Sequence, residues 1–201
     1  MVRHANLLLV AALRRGDPAA FDRAYEEHRE RVYGFLARLS GRVDVAQDLF
    51  QETFLKLAKN ATSLRDDTDL AAWLFTVARN EFLSYRRRVG ARPREDAEPD
   101  EPVYAASSSS NPERQVTAQR EIARIEHAIA SLPDMYREVL LLVAVEGLDT
   151  DQACMVLALK PDALRQRLSR ARAALAEKLE QSAHRPPSIG YLSRPRAEVE
   201  S

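Results

Sequence analysis

Asp149–Leu175, DTDQACMVLALKPDALRQRLSRARAAL, is the stretch from which the fold can be read. Asp149 and Gln152 have the spacing of a capping box, which starts a short helix running to about Leu157. A turn, Ala158-Leu159-Lys160-Pro161-Asp162-Ala163, follows, and Pro161 marks the entry to a last long helix ending near Glu180. At 100° per residue, Leu164, Leu168, Ala171, Leu175 and Leu179 fall on one stripe. Asp162, Arg165, Gln166, Ser169, Arg170 and Arg172 fall on the other side. A short helix, a tight turn and a long helix with outward Arg and Gln have the layout of a helix-turn-helix reader. Arg binds guanine edges or phosphates, and Gln pairs with adenine. A solvated helix face rich in Arg gives the same pattern, so this face alone leaves both readings open. The two helices predicted ahead of it tilt the balance toward DNA.

Working back toward the N-terminus, Ile122, Ile125, Ile129 and Leu132 mark one helix. Pro133 opens the next, with Met135, Val139, Leu140, Leu142 and Val143 apolar, and Gly147 stops it. This second block runs from about Glu113 to Gln181, with its reader unit expected at 119–181. Before it, Gly90 to Pro112 holds four prolines, a run of five acids and Ser107–Ser110, without apolar periodicity. That composition predicts an acidic linker, drawn at 90–118 and disordered when free. The tail 182–201 is polar and proline-rich and is also expected to be loose.

The first block is expected at 6–89. Asp17-Pro18 is a helix start, with Asp as N-cap and Pro at the first helical position. Phe21, Tyr25, Val32, Phe35, Leu36 and Leu39 recur at helical spacing until Ser40-Gly41-Arg42. Asp44 and Gln47 repeat the capping-box spacing and predict a helix to about Ala58. Residues 60–69 read as a polar loop. A third helix starts near Leu70; Trp73, Leu74, Phe75, Val77 and Ala78 cover most of its circumference, so its first half should be buried. The fold class is therefore all-α: two small helical units joined by a flexible linker.

Net charge is zero, from 30 basic and 30 acidic residues, which taken alone argues against a nucleic-acid partner. The charge is segregated, however. Residues 79–94 carry six arginines against Glu81 alone, and residues 95–101 then carry five acids and no base. Local asymmetry is the footprint that matters. Cys154 is the one cysteine, which excludes a disulfide framework within the chain and fits a reducing cytosol. The apolar run Leu7–Leu13 is far shorter than the ~20 residues of a membrane span and lacks a cleavage site after it, so a cytoplasmic protein without membrane insertion is expected. The four histidines are scattered, none at metal-ligand spacing with Cys154, and no Gly-rich phosphate loop occurs. No enzyme, metal site or cofactor is expected, and Cys154 reads as a small buried thiol.

Two more faces carry candidate chemistry. On the helix 44–58, Ala46, Leu49, Phe50, Thr53, Phe54 and Leu57 make the buried side, while Asp48, Gln51, Glu52 and Leu55 lie together opposite. An outward Leu among acids and an amide is a docking stripe, or else an ordinary solvated face. On the helix 70–88, Trp73, Phe75, Phe82 and Tyr85 interleave with Arg79, Asn80, Arg86, Arg87 and Arg88. That mix suits single-stranded DNA, where bases stack on rings and Arg holds phosphate. Trp73 and Phe75 read better as core support.

Four segments in order resemble the extracytoplasmic-function group of the sigma-70 family. They are RRGDPAAFDRAYEEHRERVYGFLARL (14–39), DVAQDLFQETFLKL (44–57), LAAWLFTVARNEFLSYRRR (70–88) and the run 132–175 that ends in the stretch quoted first. The resemblance covers residues 8–89 and 119–180. It implies a factor that gives core RNA polymerase its promoter specificity. Asp48, Gln51, Glu52 and Leu55 would dock on the β′ clamp helices. Arg79, Asn80, Tyr85, Arg86, Arg87 and Arg88 would meet the minus-ten element, with Asn60 and Arg65 in a loop that pockets a flipped base. Lys160, Arg165, Gln166, Ser169, Arg170 and Arg172 would read the minus-thirty-five element, with that unit held near the β flap. The linker would thread toward the active-site channel, and an anti-sigma protein would hold the factor inactive. The turn departs from the family pattern, which usually has Gly before the last helix and then a small-Thr-Val step: here it reads Ala158-Leu159-Lys160-Pro161-Asp162-Ala163, Asp162 puts a carboxylate near the helix N-terminus, and Ala163 lacks a hydroxyl. Two rival readings remain open. One is an adaptor with the same fold that binds regulators. The other is a helix-turn-helix regulator acting on duplex DNA alone, which leaves the α-helical docking stripe and the acidic linker unexplained.

Overall fold

A computed structural model describes residues 2–90 and 112–183. The predicted linker acids at 95–101, Arg92 and Arg94, and the tail beyond 183 lie outside the described residues. Among the described residues every regular element is helical: α1 (Val2–Arg14), α2 (Pro18–Ser40), α3 (Val43–Asn60), α4 (Leu70–Val89), α5 (Pro112–Ala130), α6 (Asp134–Leu140), α7 (Thr150–Leu157) and α8 (Pro161–Ala183). None is long and apolar enough to cross a membrane.

The helix boundaries follow local chemistry, with two corrections. Asp17 caps α2 by accepting from Ala19 N–H, Asp69 caps α4 by accepting from Ala72 N–H, and Asp149 with Gln152 forms a complete capping box on α7. At α3 the expected box does not form. The helix opens one residue earlier, at Val43, and the Asp44 carboxylate turns back to Arg42, which holds it below its ordinary pKa. A paired guanidinium satisfies that carboxylate better than one backbone N–H would. The second correction concerns α5. It opens at Pro112, ahead of the boundary expected at 119; Ile125 on it is 39% exposed, and Leu132 lies in the turn after it. The helix α1 has no capping signal and escaped the sequence reading, yet Leu9, Val10 and Leu13 bury fully against the first block.

The first block is a bundle of α1–α4 around Val32, Phe35, Leu36, Leu39, Leu57, Leu74 and Phe75. Each such side chain contributes about 1.5–3 kcal/mol when buried. Phe35 and Phe75 meet edge to face at 5.4 Å, and Tyr25, Phe50 and Phe54 form a second ring cluster. In the second block α8 lies across α5, α6 and α7, with Leu164 and Ala171 buried. After α6 the chain widens into a π-helical turn, Leu141–Val145, where Glu146 N–H donates to Leu141 O at 2.8 Å.

The α7–α8 turn contains a strained residue. Ala158 sits at φ 53°, ψ 47°, the left-handed region, and its N–H closes the end of α7 on Cys154 O and Met155 O. A Cβ there costs about 1–2 kcal/mol. Ala158→Gly is therefore expected to raise stability by about 0.5–1 kcal/mol, after the extra chain entropy glycine loses on folding. A urea midpoint below that of the parent chain would contradict this.

The two blocks meet. Helix α4 packs on α7, and α2 touches α5 and α6. Arg137 of α6 is wholly buried at this seam. Its guanidinium donates to Ala130 O at 2.5 Å, Leu132 O at 2.9 Å and, across the seam, Leu39 O at 3.2 Å. One side chain thus closes the C-terminal ends of α2 and α5, where positive charge suits the helix dipoles.

Candidate functional site

The ridge on α3 comes from a simple helical count. With Ala46, Leu49, Thr53, Phe54 and Leu57 buried inward, Asp48, Gln51, Glu52 and Leu55 are left exposed on the opposite side. Leu55 is 49% exposed, one of eight large apolar side chains facing water among the described residues. Lys56 beside it reaches across to Glu81 of α4, so its charge is turned away from the ridge. The ridge is acidic and amide-bearing with an apolar centre, a composition that suits a protein surface.

The α4 set divides. Asn80, Arg87 and Arg88 are exposed, Tyr85 is half-buried, and Arg87 donates to Ser84 Oγ at 2.9 Å. Arg79 is enclosed against the second block, and Arg86, itself exposed, also reaches a carboxylate there. Arg79 Nε lies 2.9 Å from Glu138 Oε2, and Arg86 Nη1 lies 2.8 Å from Asp134 Oδ2. Trp73 is half-buried against the core and Phe75 is fully buried, so both act as support. At the other end, Asn60 donates to Lys56 O and Arg65 pairs with Asp67 at 3.0 Å on the exposed loop. That ion pair raises the Arg65 pKa and lowers that of Asp67. Asn6 of α1 ties the loop down, donating to Thr68 O and accepting from Leu70 N–H. With ~1.5 Å of rise per residue, α4 separates the loop from Arg87 by about 26 Å. The loop and the arginine cluster are therefore two contact points on one rigid rod.

The α8 face is as the periodicity predicts. Lys160, Arg165, Gln166, Ser169, Arg170 and Arg172 are all exposed, and the face packs against nothing in the first block. Arg165 pairs with Asp162 one turn earlier, so the carboxylate at the helix start is partly offset from within the helix.

Sequence reasoning missed the acidic partners of the seam. Arg38 meets Glu126 at 3.1 Å; Arg31 lies 3.4 Å from the Glu146 carboxylate and donates to Glu146 O at 2.5 Å; Gln152 donates to Asp69 at 2.8 Å. No local spacing announces pairs that span a linker. Burial pushes the Glu146 carboxyl up, against the pull of Arg31 and Arg38. A raised acid contributes stability below its ordinary value of 4.5 and loses it as pH rises through the folded value. Arg31 thus holds Glu146 through both its carboxylate and its backbone carbonyl.

His28 of α2 was not singled out by sequence either. It is buried, with Nδ1 lacking a hydrogen-bond partner. Burial lowers its pKa below 6.5, Arg31 adds to the lowering, and Glu27 and Asp69 oppose it. A depressed histidine contributes stability above its ordinary value and loses it as pH falls through the folded one. Acidification from about pH 7 to about pH 5 should therefore destabilise the chain, and His28→Leu should shrink that loss. Thermal melts across the range check it; parallel pH profiles for both proteins would contradict it.

Cys154 is half-buried rather than buried, and desolvation followed by the nearby Asp151 charge raises its thiol pKa. A raised pKa leaves less of the thiolate, the form that reacts. Among the described residues, no three His, Cys, Asp or Glu side chains gather to hold a metal ion.

Comparison with known proteins matches two family descriptions: Sigma-70 region 2 over residues 24–92, and Sigma-70, region 4, over 122–175. The ECF RNA polymerase sigma factor EcfG of Rhodopseudomonas palustris is 36% identical over 71% of this chain and 75% of its own length. The ECF RNA polymerase sigma factor SigE of Mycolicibacterium smegmatis is 33% identical over 82% of this chain, which spans 64% of that protein. Among solved structures, the sigma factor RpoE of Bartonella quintana, in complex with the anti-sigma factor NepR, superposes with TM-score 0.60 at 25% identity, covering 89% of this chain and 96% of that one.

Proposed function

The chain belongs to the extracytoplasmic-function group of sigma-70-type RNA polymerase sigma factors, and from that premise we propose that its three exposed faces divide promoter recognition between them. The observation that carries the reading is the α3 ridge: acids, an amide and a half-exposed Leu55, all left unpacked on a helix whose other side is core. This ridge docks on the clamp helices of the polymerase β′ subunit. Helix α4 lies along the minus-ten element. Its ~26 Å between loop and arginine cluster matches seven or eight nucleotides at about 3.4 Å each. The loop 60–69, with Asn60 and Arg65, takes a base turned out of the stack, and Tyr85, Arg87 and Arg88 hold the upstream end. The α8 face reads the minus-thirty-five duplex through Arg165, Gln166, Ser169 and Arg170, with Lys160 and Arg172 on phosphate. Extruding a base costs a few kcal/mol, which stacking and pocket hydrogen bonds offset, so the role asks no catalytic residue of this chain. It acts in the cytoplasm, where polymerase and DNA are. The Bartonella relative is held by an anti-sigma factor, and this chain is proposed to have a partner of the same kind.

Reconstitution tests the reading. The chain, core polymerase and a promoter library should yield open complexes with permanganate-reactive thymines at selected sites only. Duplex binding by the chain alone, with no dependence on polymerase, would favour a free-standing regulator instead.

A further inference from the structure

We infer that α1 is a positioning element for base capture: Asn6, seconded by Arg14, holds the loop 60–69 in the shape that receives the base. This rests on the loop being where a base is taken in. Helix α1 precedes both matched family regions, which begin at residues 24 and 122. It is nonetheless joined to the loop at three places. The short 3-10 turn Ala61–Ser63 packs against it. Asn6 grips the far stem, with Nδ2 donating to Thr68 O at 2.8 Å and Oδ1 accepting from Leu70 N–H at 3.0 Å. One side-chain amide thus fixes the peptide groups on either side of Asp69, the N-cap of α4. Arg14, about 12 Å further along the helix axis, pairs with Asp66 at the loop tip.

The apolar core does not set the shape of this stretch. Between the buried Leu64 and the buried Leu70, every side chain is exposed or half-buried. The turn itself is closed by Thr68 N–H to Arg65 O at 3.1 Å, and its position on the bundle is left to polar ties. Ordering a slack loop when the base arrives subtracts from affinity, whereas a loop already held loses nothing. A slack loop also accommodates any base alike. Of the two side chains Asn6 matters more, because its two hydrogen bonds are part-buried. The Arg14–Asp66 pair is exposed, with Asp66 at 81%, and is weakened by water and salt.

The test joins the full chain to core polymerase and measures affinity for fluorescent single strands carrying the minus-ten sequence that the promoter library selects. An abasic unit replaces each nucleotide in turn. In the parent, the position of the captured base should stand out with a weakening of at least about tenfold. In Asn6→Ala the weakening at that position should fall to about twofold, with core-polymerase affinity and binding of the abasic strand both within about twofold of the parent. Arg14→Gln should leave about fivefold. Two controls should keep the full parent value. Leu8→Ala alters the exposed side of the same helix, and Val32→Ala softens the core and lowers the melting temperature without touching the loop. If Asn6→Ala does not melt cooperatively, Asn6→Asp takes its place: it keeps the acceptor for Leu70 N–H, loses the donor to Thr68 O, and should leave less than about fivefold. An abasic effect in the Asn6 variant equal to that of the parent, or a loss matched by Val32→Ala, overturns the positioning role. A failure of the underlying reading looks different: the parent itself would show no position at which an abasic unit weakens binding by more than about twofold, which removes base capture by the loop and the role of α1 together.

Discussion

Leu55→Arg is expected to weaken binding to core RNA polymerase at least about 30-fold, which corresponds to about 2 kcal/mol, the scale of an interface hot spot. Leu55 is half exposed and flanked by Glu52 and Gln51, and it packs on nothing that the bundle needs. Fold stability should thus move by no more than about 0.5 kcal/mol. The asymmetry is what makes the substitution informative, because a large functional loss without a stability loss places the residue in an intermolecular contact. Titration of labelled protein with core enzyme, alongside a urea melt, reads both quantities. Polymerase affinity within twofold of the parent would remove the main support for the docking role. A matching fall in stability would show that Leu55 serves the fold instead.

Arg137→Leu is expected to cost about 3–5 kcal/mol of stability, the largest effect of any single change considered. Leucine fills similar apolar volume but leaves the carbonyls of Leu39, Ala130 and Leu132 without this donor in a site closed to water. Set against a typical total of 5–15 kcal/mol, such a loss leaves much of the protein unfolded at growth temperature. Arg137→Lys should not restore it, since one ammonium cannot replace a planar fork that reaches four separate backbone oxygens, Ile129 O among them. Urea unfolding of the two variants measures this directly. A loss below about 1 kcal/mol for Arg137→Leu would mean water or a shifted backbone satisfies those carbonyls.

The contrast between these two residues shows which kinds of information a sequence carries. Leu55 is legible because helical periodicity places it opposite Leu49, Phe54 and Leu57, and an apolar residue there stands out. The α8 face is legible for the same reason, and so are the caps at Asp17 and Asp149, where a side chain satisfies a backbone group a few positions away. Arg137 is not legible. Arginine is among the residues least often fully buried, and nothing within α6 reveals that its acceptors lie at the ends of two other helices. The partners of Arg79 and Arg86 were hidden likewise, because Asp134 and Glu138 approach them only once the chain has crossed the linker. Helix α1 lacked a cap to announce it. Asp44 erred in the opposite direction, since its spacing promised a box while the adjacent Arg42 offered a better partner.

The π-helical turn at Leu141–Val145 makes the joint between the blocks sensitive to residue count. One extra residue in a single turn advances everything downstream by about 100° around the helix axis. That phase aims the main chain of Glu146 at Arg31. Point substitutions along the turn preserve the phase, provided they stay apolar where Leu141 and Leu142 are buried. Excising one residue would instead restore regular α-helical winding and swing Glu146 away from its neighbour. In this part of the molecule, then, the number of residues is under tighter constraint than their identity.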